Sequence, residues 1–185
     1  MKSRQVRRLL CLSFLCVLGA FSFSHGQRRD QAFDPGMSLE ETMAWLGKQL
    51  TQQHSSVSYD GQSVRNRGTR LVQAKGCTLT YWSMIEMEGL DPVSPSYRVR
   101  ELWTLNLSGL DAARINAQPN GRVWFWALGD SRNAIRKSNF NREDRLNSVT
   151  LSAAMGNFWV RDAAHAEEVA AALKHAVDLC RQRKH

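Results

Sequence analysis

The sequence lacks the compact signatures that announce a reaction: it has no Gly-x-Ser-x-Gly elbow, no glycine loop for phosphate and no His-Glu-x-x-His pair for zinc. A catalytic site would therefore have to be assembled in three dimensions. Histidine is sparse as well, with His54, His165, His175 and His185 the four beyond the first 26 residues. His165 and His175 lie ten positions apart, which on a helix of about 3.6 residues per turn separates them by roughly 80°, a poor geometry for sharing a metal. All four are expected on the solvated surface. Four prolines and 12 glycines in 185 residues exclude collagenous and low-complexity classes, and no internal repeat is visible.

Long apolar runs are also missing, apart from Leu9 to Phe23. That run follows Lys2, Arg4, Arg7 and Arg8 and precedes the small residues Ser24 and Gly26, the pattern of a secretory signal over residues 1–26. As a helix it would reach ~22 Å, against a hydrocarbon core of about 30 Å, so cleavage rather than stable anchoring is expected. Bulky Phe14 and Leu15 precede Cys16, which argues against lipid attachment. The expected location is periplasmic or secreted.

Loss of the signal removes four of the 25 Lys and Arg and none of the 17 Asp and Glu, which takes the net charge from +8 to +4. Arg181, Arg183 and Lys184 at the end of the chain carry three of those charges. The remaining body is nearly neutral, with no dense basic run, so no nucleic-acid partner is expected.

Cysteine is scarce after the signal, where Cys77 and Cys180 stand alone. In an exported chain one intramolecular pairing is open to them. It would close a loop of ~100 residues, worth about 4–5 kcal/mol in the chain-entropy account.

The segment 27–37, punctuated by Pro35-Gly36, reads as a flexible leader. Ser38 followed three residues later by Glu41 forms a capping box, and Leu39, Met43, Leu46 and Leu50 then recur with helical spacing. At the other end Asp162 can cap a second helix to Arg181 whose stripe is Ala166, Val169, Ala170, Leu173, Ala176, Val177 and Cys180. Between the helices the period falls to two. Expected strands are 57–59, 71–75, 77–87, 97–107, 114–117, 122–128, 134–137, 149–153 and 158–161. The two longest are joined as a hairpin through Gly89 to Ser96, and Pro119-Asn120-Gly121 is expected as a tight turn. Asp91, Asp111, Asp130, Asp144 and Asp162 all fall at turns or caps, where carboxylates bond backbone rather than substrate.

Gly76-Cys77 opening a long strand, Leu107-Ser108-Gly109-Leu110-Asp111 ending the next, and Leu173 to Cys180 closing the chain resemble a group of secreted bacterial domains similar to pleckstrin-homology-like (PH-like) barrels. The resemblance covers Ser38 to Cys180. It implies a curved antiparallel sheet with a C-terminal helix plugging one end, and it implies no activity. Classical members hold inositol lipids with basic residues of the first hairpin, echoed loosely by Arg65, Arg67 and Arg70. An exported protein would not meet those lipids.

Four tryptophans, Trp124, Trp126, Trp82 and Trp103, are the candidate ligand-binding residues. Trp124 and Trp126 share one face of a strand, and Val123, Phe125 and Ala127 the other. If the second face is the core, two indoles stand outside as a contact surface; the blander expectation covers both faces, one by a barrel interior and one by a terminal helix. Trp82 and Trp103, in the arms of the long hairpin, are expected as a cross-strand pair. Arg98 and Arg100 share what reads as a solvated face.

These readings give an α+β domain over 38–181: an antiparallel curved sheet or small PH-like barrel with an N-terminal helix and a C-terminal capping helix, then a basic tail at 182–185. The function they favour is an exported, non-enzymatic binding or scaffolding domain for a protein or small-molecule ligand. No cofactor, metal or catalytic residue is assigned. The alternative is an envelope hydrolase or sugar-active enzyme, which two or more ionisable groups with shifted pKa values in one concavity would favour; a shallow apolar groove beside the tryptophans would favour the binder.

Overall fold

The computed structural model of the chain describes residues 32–51, 53–59, 62–88, 97–131, 133–140 and 150–183. The expected signal segment, residues 27–31 of the leader, the 89–96 connection with Asp91, residues 141–149 with Asp144, and residues 184–185 lie outside them. So do the side chains of His54, Arg65, Arg67 and Arg98.

The first helix, α1, spans Leu39–Gln49 and starts as its sequence requires. Ser38 Oγ accepts from the Glu41 backbone N–H at 3.3 Å, and Glu41 Oε2 accepts from the Ser38 N–H at 2.8 Å. Two donors that a helix start leaves unpaired are thereby satisfied. Leu39, Met43, Leu46 and Leu50 are all buried, so the expected stripe is the core face. Just ahead of the helix, Phe33 and Met37 pack on the core, and Met37 O lies 2.8 Å from His175 Nε2.

Among the described residues nine strands follow: β1 Gln53–Tyr59, β2 Gln62–Lys75, β3 Thr78–Glu88, β4 Tyr97–Asn106, β5 Asn116–Gln118, β6 Arg122–Trp126, β7 Ile135–Phe140, β8 Leu151–Ser152 and β9 Met155–Trp159. They form two antiparallel sheets, ordered β1-β2-β3-β4-β7-β8 and β5-β6-β9. The small barrel among the expectations is not closed. After β4 the chain leaves the first sheet through short 3-10 turns at Leu107–Gly109 and Ala112–Arg114, builds the β5–β6 hairpin, and only then returns to lay β7 beside β4. A buried hydrogen bond ties β2 to the edge of the second sheet, where the Trp159 N–H donates to Thr69 Oγ1 at 2.8 Å.

The inner faces of the two sheets meet in one core. Leu79, Tyr81, Trp103, Leu105 and Ile135 face Val123, Phe125 and Phe158. The Phe158 ring lies 4.7 Å from that of Tyr81 and 4.9 Å from that of Phe125. Gly156, directly opposite Phe125, makes room for this packing, since a Cβ there would sit 2.5 Å from the Phe125 ring. At the β5–β6 turn Gly121 has φ +76° and the turn closes with its N–H on Gln118 O, so the Pro119-Asn120-Gly121 expectation is met.

The second helix, α2, spans Ala163–Gln182, with the Asp162 carboxylate accepting from the His165 N–H at 2.8 Å. Every residue of its expected stripe is buried, from Ala166 to Cys180. Cys77 and Cys180 form the disulfide, with 5.7 Å between Cα atoms, and so join the last turns of α2 to the β2–β3 turn. One expectation fails on this helix: His165 is buried near the Trp45 ring of α1, and His175 is half-buried beside Phe33. The solvated reading assumed one apolar stripe on α2, whereas α1 covers a second side of it.

Candidate functional site

The β-strand period decides where each tryptophan goes. In β6 Val123 and Phe125 are fully buried, so Arg122, Trp124 and Trp126 point to the opposite, outer face of the second sheet. The neighbouring strands extend that face: Asn116 is the cross-strand partner of Trp124 on β5, and Asn157 and Met155 partner Trp124 and Trp126 on β9. Both indoles are half-buried, with ring centroids 5.9 Å apart, and Met155 beside them is 41% exposed.

The expectation that a terminal helix covers this face gives way to arginine. The Arg122 guanidinium carbon lies 4.3 Å from the ring centroids of both Trp124 and Trp159, and that of Arg114 lies 4.9 Å above Trp126. Each such contact is worth about 0.5–2 kcal/mol according to how well water is excluded. Arg122 Nε also donates to Asn157 Oδ1 at 3.3 Å. The result is a row of indole and guanidinium groups on strands whose other face is core: Arg122 lies between Trp159, which is fully buried, and Trp124, and Trp126 lies between Trp124 and Arg114.

Trp82 and Trp103 are not a cross-strand pair. The β3–β4 register sets Trp103 opposite Tyr81 and Trp82 opposite Leu102, a one-residue offset that sends the two indoles to opposite faces. Trp103 stacks on Tyr81 inside the core, is 6% exposed, and donates to Glu101 Oε2 at 3.0 Å. Trp82 is half-buried on the outer face of the first sheet, with the Arg100 guanidinium 4.9 Å over its ring. The four tryptophans thus divide into one outer pair, one core residue and one residue on another sheet. Of the arginine pair read as a solvated face, Arg100 instead spends its guanidinium on Trp82.

The row's other members had an uneven signal in the sequence. Arg122 was not singled out, although Arg122-x-Trp124-x-Trp126 alternates onto one face. Trp159 was not visible, because the expected strand 158–161 started three residues late, and Arg114 reaches its indole from a 3-10 turn rather than the expected strand 114–117.

Among the described residues, the groups with displaced titration do not converge. Backbone hydrogen bonding at Ser38 lowers the Glu41 pKa, and bonding from the His165 N–H lowers that of Asp162. Both are helix caps. The Tyr81 phenol is pushed up by complete burial, and its O–H donates to Asn157 O at 3.2 Å. Asp111 accepts from the Ala113 N–H at 3.1 Å, as its turn position implies. A groove lies between α1 and the end of β2, away from the tryptophans. No protein-family model, curated protein or solved structure matches this chain.

Proposed function

We propose that the protein is an exported binding module whose contact surface is the outer face of the three-stranded sheet. The observation that carries this reading is the placement of Trp124 and Trp126 on the side of β6 away from the core, half-buried and flanked by Arg122 and Arg114. Large rings already fixed by packing lose little freedom on binding, and guanidinium groups stacked on them offer N–H donors at the rim. The ligand that suits such a face is anionic, protein or small molecule, with an apolar part for Trp126 and Met155. The two described carboxylates with lowered pKa values are both committed to helix caps, which favours binding over acid–base chemistry.

Export is supported by the Cys77–Cys180 disulfide, since such bonds persist mainly in oxidising compartments. For the fold we propose an opened relative of the PH-like barrel. Two antiparallel sheets sharing one core, a C-terminal helix packed into it and the Thr69–Trp159 tie between β2 and β9 support that placement.

The test compares three forms of the mature chain immobilised against envelope and culture fractions: wild type, Trp124→Ala/Trp126→Ala, and Trp82→Ala. Wild type and the Trp82 variant should retain a common partner, identified by mass spectrometry, that the double variant loses. Identical capture by all three would refute the assignment of this face.

A further inference from the structure

β2 runs on past the strand that should flank it. The β1–β2 register ends at Gln53 opposite Thr69, and the next bond on that side, from the Leu71 N–H, goes to Leu50 O at the end of α1, at 3.0 Å. Among the described residues no strand lies alongside 72–75 on the side away from β3. Facing this stretch is α1, and between the two lies a groove of about 480 Å³. Met43 and Gly47 line it from the helix, and Leu71, Val72 and Ala74 from the strand. Val72 is 54% exposed and is the extra residue of a β-bulge, since Leu71 opposes Tyr81 while Gln73 already opposes Thr80.

A strand edge presents backbone donors and acceptors, and an apolar helix flank presents places for alternate side chains. An extended segment entering between them satisfies both at once, which is the geometry of strand addition. The bulge limits pairing to a few residues, enough for a peptide and too little for an extended sheet.

Charge selects the occupant. Lys75 and Arg183 stand at the Gly76 end of the groove against a single acid, Glu40. Two copies of this edge pairing antiparallel over 70–75 would set exposed Arg70 directly opposite Lys75, a like-charge pair that opposes self-association. We infer that the α1–β2 groove is a docking site for an extended, largely apolar peptide segment of a partner protein, bound as an added strand with an acidic side chain at the Lys75–Arg183 end. This site is separate from the tryptophan face and does not depend on it.

The experiment is a selection of short random peptides on the wild-type chain, with counter-selection on Ala44→Tyr. Ala44 is an exposed groove residue, so the tyrosine fills the site without removing a core contact, and circular dichroism checks that the fold is kept. Peptides retained by wild type and lost on the variant should alternate apolar residues and carry Asp or Glu at one end. Bound to isotope-labelled protein, they should shift the amide resonances of Val72 to Gly76. Lys75→Glu/Arg183→Glu should weaken them roughly tenfold or more and favour peptides with Lys in place of the acid. No groove-dependent peptides, groove-dependent peptides without an acidic preference, or binding unchanged in the charge-reversed variant would each overturn the proposal.

Discussion

Leu173→Ala tests whether α2 is the internal support that its burial indicates. Leu173 is fully buried at the middle of the stripe, with Val169 and Ala170 one turn before and Ala176 and Val177 one turn after. α2 packs against α1, against β5 and β6 and against the turn at Leu107–Gly109, so the side chain is enclosed from several directions. Truncation removes its transfer free energy and leaves a cavity, a combined cost of about 2–5 kcal/mol. The upper half of that range is expected here. Ala166, Ala170, Ala172 and Ala176 are too short to fill the void, and the disulfide at Cys180 restrains the helix from sliding into it. Glu168→Ala, on the exposed side of the same helix, should change stability by no more than about 0.5 kcal/mol. Urea unfolding of both variants with the disulfide intact measures the difference. Equal, small effects would mean that α2 lies on the domain rather than within its core, and the packing argument would fail.

Thiol titration of the native protein produced from residue 27 onward should find close to none free, and replacing Cys77 and Cys180 together should lower the unfolding free energy by about 4–5 kcal/mol or less, given the 103-residue separation. Two reactive thiols in the native protein would refute the pairing. The helix caps set an acid limit: Glu41 and Asp162 have folded-state pKa values below their ordinary ones, so their contribution is present above the unfolded values and is lost as pH falls through the folded ones. Urea midpoints should therefore drop below about pH 4, and Glu41→Gln/Asp162→Asn should show a smaller drop; identical acid sensitivity would remove the caps as its source.

The parts of the fold that were legible were those in which one local rule decides. The capping box, both helix stripes, the Asn-Gly turn and the long hairpin each follow from spacing or backbone chemistry within a few residues. Residues 62–70 were not read as strand, because Arg65, Arg67, Arg70, Asn66 and Gly68 break the apolar alternation; these residues are held extended by β1 on one side and β3 on the other. β9 was misplaced for a related reason. Gly156 looks like a breaker, yet it is the position at which Phe125 needs an absent side chain. The separation of Trp82 from Trp103 rests on register, fixed by how Thr78 meets Asn106 across the whole hairpin, and no single-strand pattern contains it. Likewise, alternation gave the shared face of Trp124 and Trp126, while the arginine over Trp126 came from a turn that only the assembled sheet brings close.

The disulfide does more in this arrangement than shorten the unfolded chain. Cys77 follows Lys75 by two residues, and Cys180 precedes Arg183 by three, so the bond that pins α2 to the β2–β3 turn also fixes the two cations at one end of the α1–β2 groove. Two like charges on independently mobile segments would separate. Here covalent closure near both, with α1 and α2 packed on each other, holds Lys75 and Arg183 on the lining of one groove, where the acidic end of the proposed peptide would meet them. Preorganisation of that kind lowers the entropy lost on binding, as the buried Val123 and Phe125 do for the indoles of β6. The same core that holds the domain together therefore holds both proposed contact surfaces in position, and the difference between them is chemical: one offers ring faces and guanidinium edges, the other a backbone edge with a charged end.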